Sequence, residues 1–335
     1  MTVGYEATSD TTFEFFGRLS NEDTAAASMP DLNVVDLELM MHWCSSAYRT
    51  VTRDEPSDYV WQQAIPREAL SHPFLMRGIL AMSALHLAAS TSGPQKAAYI
   101  RTAVAHQDQA LALFREMLGD INLSNGKAMF AFSSLVVGFA FAFPITPDIL
   151  QPLSLVDDLY RIIMLCRGTQ QVLSTCHIWL EKDKDFAPYL KALDENVKLS
   201  EDVKALLKNL HYTNEQNASS DLDHDIEAYR EVIERTGIAL EKARHETKTI
   251  STAGWWAIKL PSAYVDDLHE HKEFALIILA YYCLVLHRLR GNWLVQDWGS
   301  RVLMVIYDFL EADRRPLLNL AMEEVFVNQS CGQIH

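Results

Sequence analysis

Along most of this chain apolar residues recur at i, i+3, i+4 and i+7, the spacing that lines one face of a helix. The clearest run is Phe274, Ile277, Ile278, Tyr281, Tyr282, Val285, Leu286 and Leu289, which predicts a helix over residues 274–290 buried on most of its circumference. Residues 128–143 are 16 in a row without a charge. That is short of the roughly 20 that cross a bilayer, so the segment reads as a buried core helix and no membrane span is expected. Strict alternation of apolar and polar positions is scarce. Asn-Gly occurs once, at Asn125-Gly126, and is followed by a helical pattern rather than a strand. The predicted fold class is therefore all-α.

Turn-forming residues mark the joints at Ser92-Gly93-Pro94 and over residues 119–126, 144–152, 183–188 and 213–223. The last of these is the most polar segment and reads as a loop. Its two flanks each need the other to bury an apolar face, so it is not a domain boundary. The expectation is a single multi-helix domain over residues 36–327 with a buried apolar pocket, an N-terminal extension over 1–35 and a C-terminal tail over 328–335.

Composition narrows the function classes. Of 335 residues 49% are apolar and 22% charged, enough to bury a large core. The formal net charge of −15, from 29 basic and 44 acidic residues, repels phosphate backbones. Direct nucleic-acid binding through a broad basic face is excluded on that ground, which leaves room only for a local basic patch. The cysteines, Cys44, Cys166, Cys176, Cys283 and Cys331, lie far apart with no CxxC pair, as in a reducing compartment. The first 30 residues carry neither a basic nor an apolar leader region, so a cytoplasmic location is expected.

No Gly-x-Ser-x-Gly, phosphate-binding glycine loop or dinucleotide fingerprint is present, and no cofactor is expected. Asp157-Asp158 has Arg161 where an aspartate-rich magnesium motif needs a third carboxylate, and reads as a solvated helix start. Asp266, Asp267, His269, His271 and Glu273 hold metal-ligating groups, but the two histidines are two apart and face different sides of a helix. They read as an exposed helix N-terminus, and no metal site is predicted. His86, in the run from His72-Pro73-Phe74, reads as a core histidine.

Several segments, in order, carry a family resemblance: Asp36-Leu-Glu-Leu-Met-Met-His-Trp; Trp61-Gln-Gln-Ala-Ile-Pro-Arg-Glu-Ala; His72-Pro-Phe-Leu-Met-Arg-Gly-Ile-Leu-Ala-Met-Ser-Ala-Leu-His-Leu-Ala; and Asn125-Gly-Lys-Ala-Met-Phe-Ala-Phe-Ser-Ser-Leu. Cys166-Arg-Gly, Val172-Leu, Leu279-Ala-Tyr-Tyr-Cys-Leu-Val-Leu-His-Arg-Leu, Trp293, Trp298-Gly299 and residues 316–323 extend the series. Together they resemble the fungal-specific transcription factor domain, of the kind found at the C-terminus of sterol uptake control proteins. The resemblance implies an all-helical module that holds an apolar small molecule. In the family such a module is joined to a zinc cluster that reads DNA. That cluster needs six closely spaced cysteines, which this chain lacks. Leu320-Ala321 stands where the family often has Trp-Pro, so the ligand site is expected to be closed differently.

The segment 279–298 mixes polar tips with apolar groups, as ligand cavities do. It supplies His287 and Tyr282 as candidate catalytic donors, with Tyr281, Trp293 and Trp298 as candidate binding residues. Arg161, Arg167, His177 and Trp179 are secondary binding candidates. With the zinc cluster missing, the first expectation is a stand-alone, cofactor-independent cyclase or pericyclase that rearranges a terpenoid or polyketide intermediate. The alternative is a regulator, placed in the nucleus, that senses a hydrophobic small molecule such as a terpenoid, sterol or polyketide and lacks its own DNA-binding part. A third possibility is an interaction module with a filled core. Homodimerisation is left open.

Overall fold

Helix starts and stops follow the local chemistry. Pro73 and Pro94 open their helices from extended residues, His72 and Ser92, where a missing N–H costs nothing. The computed structural model describes residues 33–52, 55–142, 153–187, 190, 197–245 and 250–327, and no strand occurs among them. The helices are α1 (Val34–Ser45), α2 (Glu55–Tyr59), α3 (Ile65–Ala69), α4 (Pro73–Ala89), α5 (Gly93–Met117), α6 (Gly126–Ala142) and α7 (Ser154–Leu180). They continue as α8 (Glu201–Ser220), α9 (Ile226–His245), α10 (Ser251–Ile258), α11 (Ser262–His269), α12 (Glu273–Arg288), α13 (Trp298–Phe309) and α14 (Asn319–Met322). Short 3₁₀ turns cover Ala47–Thr50 and Arg315–Leu318, and π-helical turns cover Val60–Ala64 and Glu323–Val327.

The chain divides into two units, Met1–Leu37 and Glu38–His335. In the first, the Asn33 side chain accepts the Asp36 amide at 3.3 Å. In the second, one hydrophobic core runs from Leu39 to Val325. Helix α12 is at its centre, with every residue from Phe274 to His287 buried, and it packs on α9 and α13. Helix α6 is buried almost as fully and packs on α4 and α7. The predicted Phe143 end of that helix and the 328–335 tail with Cys331 lie outside the described residues. No described helix is long and apolar enough to cross a membrane.

One crossing depends on a glycine. Where α13 begins against α12, a Cβ on Gly299 would stand 2.6 Å from the His287 backbone nitrogen and closer still to the Cys283 carbonyl oxygen. The bare glycine lets the two backbones meet.

The segment expected as a loop at 213–223 is helical as far as Ser220. Its hydroxyls donate back into the helix, Thr213 to the Asn209 carbonyl at 3.0 Å and Ser219 to that of Glu215 at 2.8 Å. Asn214, fully buried, donates to the Ile226 carbonyl at 2.9 Å and meets His224 at 2.6 Å, tying α8 to the start of α9. Residues typical of loops here act as helix-compatible donors.

Candidate ligand groove

Helix α8 turns Val203, Leu206, Leu207 and Leu210 inward against α9. The edge of that apolar stripe continues as one wall of a groove of about 710 Å³. The opposite wall comes from residues 313–320, with Pro316, Leu317 and Leu320, and the floor from Tyr281 of α12. Asp202, Asn209, Thr213, Gln216 and Arg314 add polar groups. The arrangement is apolar with a few polar tips, as small-molecule sites are.

Two ties hold residues 315–327 over α12. The Tyr281 hydroxyl donates to the Leu317 carbonyl. Two turns further along α12, the Arg288 guanidinium grips both oxygens of Glu324 at 2.7 Å each. Burial raises the Tyr281 pKa above its ordinary value, so this hydroxyl remains a donor.

Of the residues predicted from sequence, Tyr281 alone lines this groove. Tyr282 points elsewhere: its ring stacks on Trp256 at 4.0 Å and its hydroxyl donates to the Ala253 carbonyl at 3.2 Å. Trp293 donates to Thr50 Oγ1 at 2.9 Å and meets the His86 ring edge-on. Trp298 donates to the Phe141 carbonyl at 3.1 Å. Arg161 pairs with Asp158 at 2.7 Å, Arg167 donates to the Leu260 carbonyl, and His177 stands 3.8 Å from Glu181 on the surface. Trp179 packs over Gly126. The candidates are thus dispersed over several packing sites and do not converge on one cavity. The lining residues Leu206, Leu317 and Leu320 were missed, the only hint being the departure at Leu320-Ala321.

His287 is buried, and its pKa is pushed from 6.5 down to about 4, chiefly by burial and then by the nearby Arg290 and Arg288, with Glu324 opposing them. The unfolded chain therefore binds this proton at a pH where the folded chain does not. Stability is expected to fall as pH drops from about 6.5 to about 4. Urea unfolding at a series of pH values checks this, and a His287→Asn variant should flatten that part of the curve.

The acidic and histidine clusters serve in packing. Asp158 is buried rather than solvated, and Asp157 meets His271 at 2.7 Å. Asp267 accepts from the Tyr229 hydroxyl at 2.8 Å and pairs with Lys272 at 2.6 Å. His271 holds a left-handed turn, φ 57°, between α11 and α12, so these residues form a turn and not one helix start. Among the described residues no group of three or more His, Cys, Asp or Glu side chains could hold a metal ion.

The family model described as "Fungal specific transcription factor domain" matches residues 38–214. The chain belongs to that family. A sterol uptake control protein 2 of Candida albicans is 29% identical over 287 residues, covering 83% of this chain and 36% of the relative. A sterol uptake control protein 2 of Saccharomyces cerevisiae is 32% identical over 108 residues, 32% of this chain and 11% of the relative. A Zn(2)-C6 fungal-type transcription factor of Gibberella zeae is 22% identical over 303 residues, 83% of this chain and 58% of the relative. The chain spans from about a tenth to under two thirds of the length of these relatives. These similarities overturn the cyclase or pericyclase expectation, because the family is described as a transcription factor domain and the named relatives as sterol uptake control proteins and a transcription factor. The family domain's matched span supplies α8 as far as Asn214, whereas Tyr281 and the 313–320 wall lie beyond it.

Proposed function

We propose that this fungal specific transcription factor domain is the small-molecule-sensing part of a nuclear transcription regulator, and that contact with DNA runs through a separate zinc-cluster segment or a partner protein. Membership of the family is the observation that carries the reading. The net charge of −15 agrees with a domain that does not itself grip DNA. The groove beside α8 is the proposed sensing site, since it offers apolar walls, a few polar groups and about 710 Å³. Two relatives are named for the control of sterol uptake, so a sterol is the first ligand to test.

Titration of the purified domain with a fluorescent sterol is expected to give saturable binding. Leu320→Arg puts a charge on a partly exposed groove residue without disturbing the core, and should weaken binding about tenfold or more. Equal binding in parent and variant would remove the groove from the proposal. Absence of saturable binding in the parent would remove the sterol.

A further inference from the structure

Beside the groove lies a second, smaller space of about 300 Å³, lined by Ala243, Arg244, Arg288, Arg290 and Glu324. Three guanidinium groups face one cleft in a chain whose net charge is −15. Two of them are neutralised from within. Arg244 pairs with Asp202, whose carboxyl this guanidinium holds down at about 2, and Arg288 pairs with Glu324. Arg290 is different. Its Nη1 donates to the His287 carbonyl at 2.9 Å, and it pairs with no carboxylate among the described residues.

Part of this clustering belongs to helix structure, because basic residues are favoured at helix C-termini. Helices α9 and α12 both end here; Arg290 donates to the His287 carbonyl in the last turn of α12, and Arg288 to the Leu240 carbonyl, a turn before the last turn of α9. A guanidinium has five N–H donors, however, so Arg290 retains most of its capacity after that contact. With Glu241, which also acts on Arg244, counted beside Asp202 and Glu324, the local charges balance at +3 − 3 = 0, and Arg290 is the arginine left without a carboxylate partner among the described residues.

We propose that this cleft is an oxyanion site, in which Arg290 and the spare donors of Arg244 hold the phosphate or similar oxyanion group of a small ligand. Glu324 acts there as an internal competitor, its carboxylate occupying the fork of Arg288 that an incoming oxyanion could otherwise share. The site is distinct from the apolar groove but adjoins it: Asp202 lines the groove and its partner Arg244 lines the cleft. Bidentate recognition of an oxyanion is the task that guanidinium geometry suits best.

The test is calorimetric titration of the purified protein with inorganic phosphate, against sodium chloride at matched ionic strength. Saturable phosphate binding without an equivalent chloride response is expected. Arg290→Ala removes an exposed side chain with one backbone contact and should weaken phosphate binding about tenfold or more, the scale of a charged hydrogen bond. Glu324→Gln removes the competing charge and should tighten it. Vesicles of phosphatidylcholine carrying phosphatidic acid separate the sources: retention on them assigns the oxyanion to a lipid headgroup, and its absence alongside phosphate binding assigns it to a soluble solute. No response to phosphate or to these vesicles, the same response to chloride, or unchanged affinity in Arg290→Ala overturns the site.

Discussion

Gly299→Ala is expected to cost the folded state about 3 kcal/mol or more, the upper range for forcing a group into a packed interior. The new methyl would collide with the backbone of α12 at Cys283 and His287, and backbone cannot rotate away as a side-chain tip can. Helix α12 has no room to retreat either, since it is buried from Phe274 to His287. Gly254→Ala is the control. Its added carbon meets nothing within 4 Å, and alanine is the better helix former there by up to about 1 kcal/mol. Urea unfolding of both variants should show a large loss for the first and none for the second. A loss under about 1 kcal/mol for Gly299→Ala would mean that the two helices do not cross as closely as described.

Trp256→Ala should be the next most damaging change, at about 3–5 kcal/mol, the usual cost of emptying a large aromatic site. Trp256 is fully buried, stacks on Tyr282, meets Tyr264 edge-on and donates to Thr236 Oγ1 at 2.9 Å. Tyr282→Phe keeps that stack and loses only a hydrogen bond to the Ala253 carbonyl, so about 1 kcal/mol is expected. Thermal or urea unfolding of the two variants should preserve this order. If Tyr282→Phe proved the more harmful, the hydroxyl would have a role beyond holding Ala253.

The helices at α6 and α12 were legible because burial on nearly every side leaves long uncharged runs that few other structures tolerate. The helix through Thr213 and Ser220 was not. Serine and threonine look like loop residues until their hydroxyls are seen turned back to carbonyls four residues earlier, and Asn214 until its amide is seen reaching forward to Ile226. At the site, Tyr281 was reachable because an aromatic hydroxyl on an apolar helix needs a partner. Its partner, the Leu317 carbonyl, has no side-chain signature. Leu206 and Leu320 follow the same amphipathic spacing as any helix edge, and only the fold shows that they face each other across a groove. Arg288 and Glu324, or Asp157 and His271, are separated by 36 and 114 positions, and nothing in either local segment specifies its mate.

The bond from Trp293 to Thr50 spans 243 positions of the chain. At ribosomal rates of about 5–20 residues per second, the 3₁₀ turn that holds Thr50 leaves the ribosome roughly 10–50 s before its indole partner is made. During that interval Phe141 at the end of α6 has no Trp298, and the buried face of α7 no α13, to cover it. A nascent chain that stops within the family-matched span, before Trp293, is therefore a natural client for a chaperone, and dissection of this domain at that point should yield aggregates rather than a smaller folded unit.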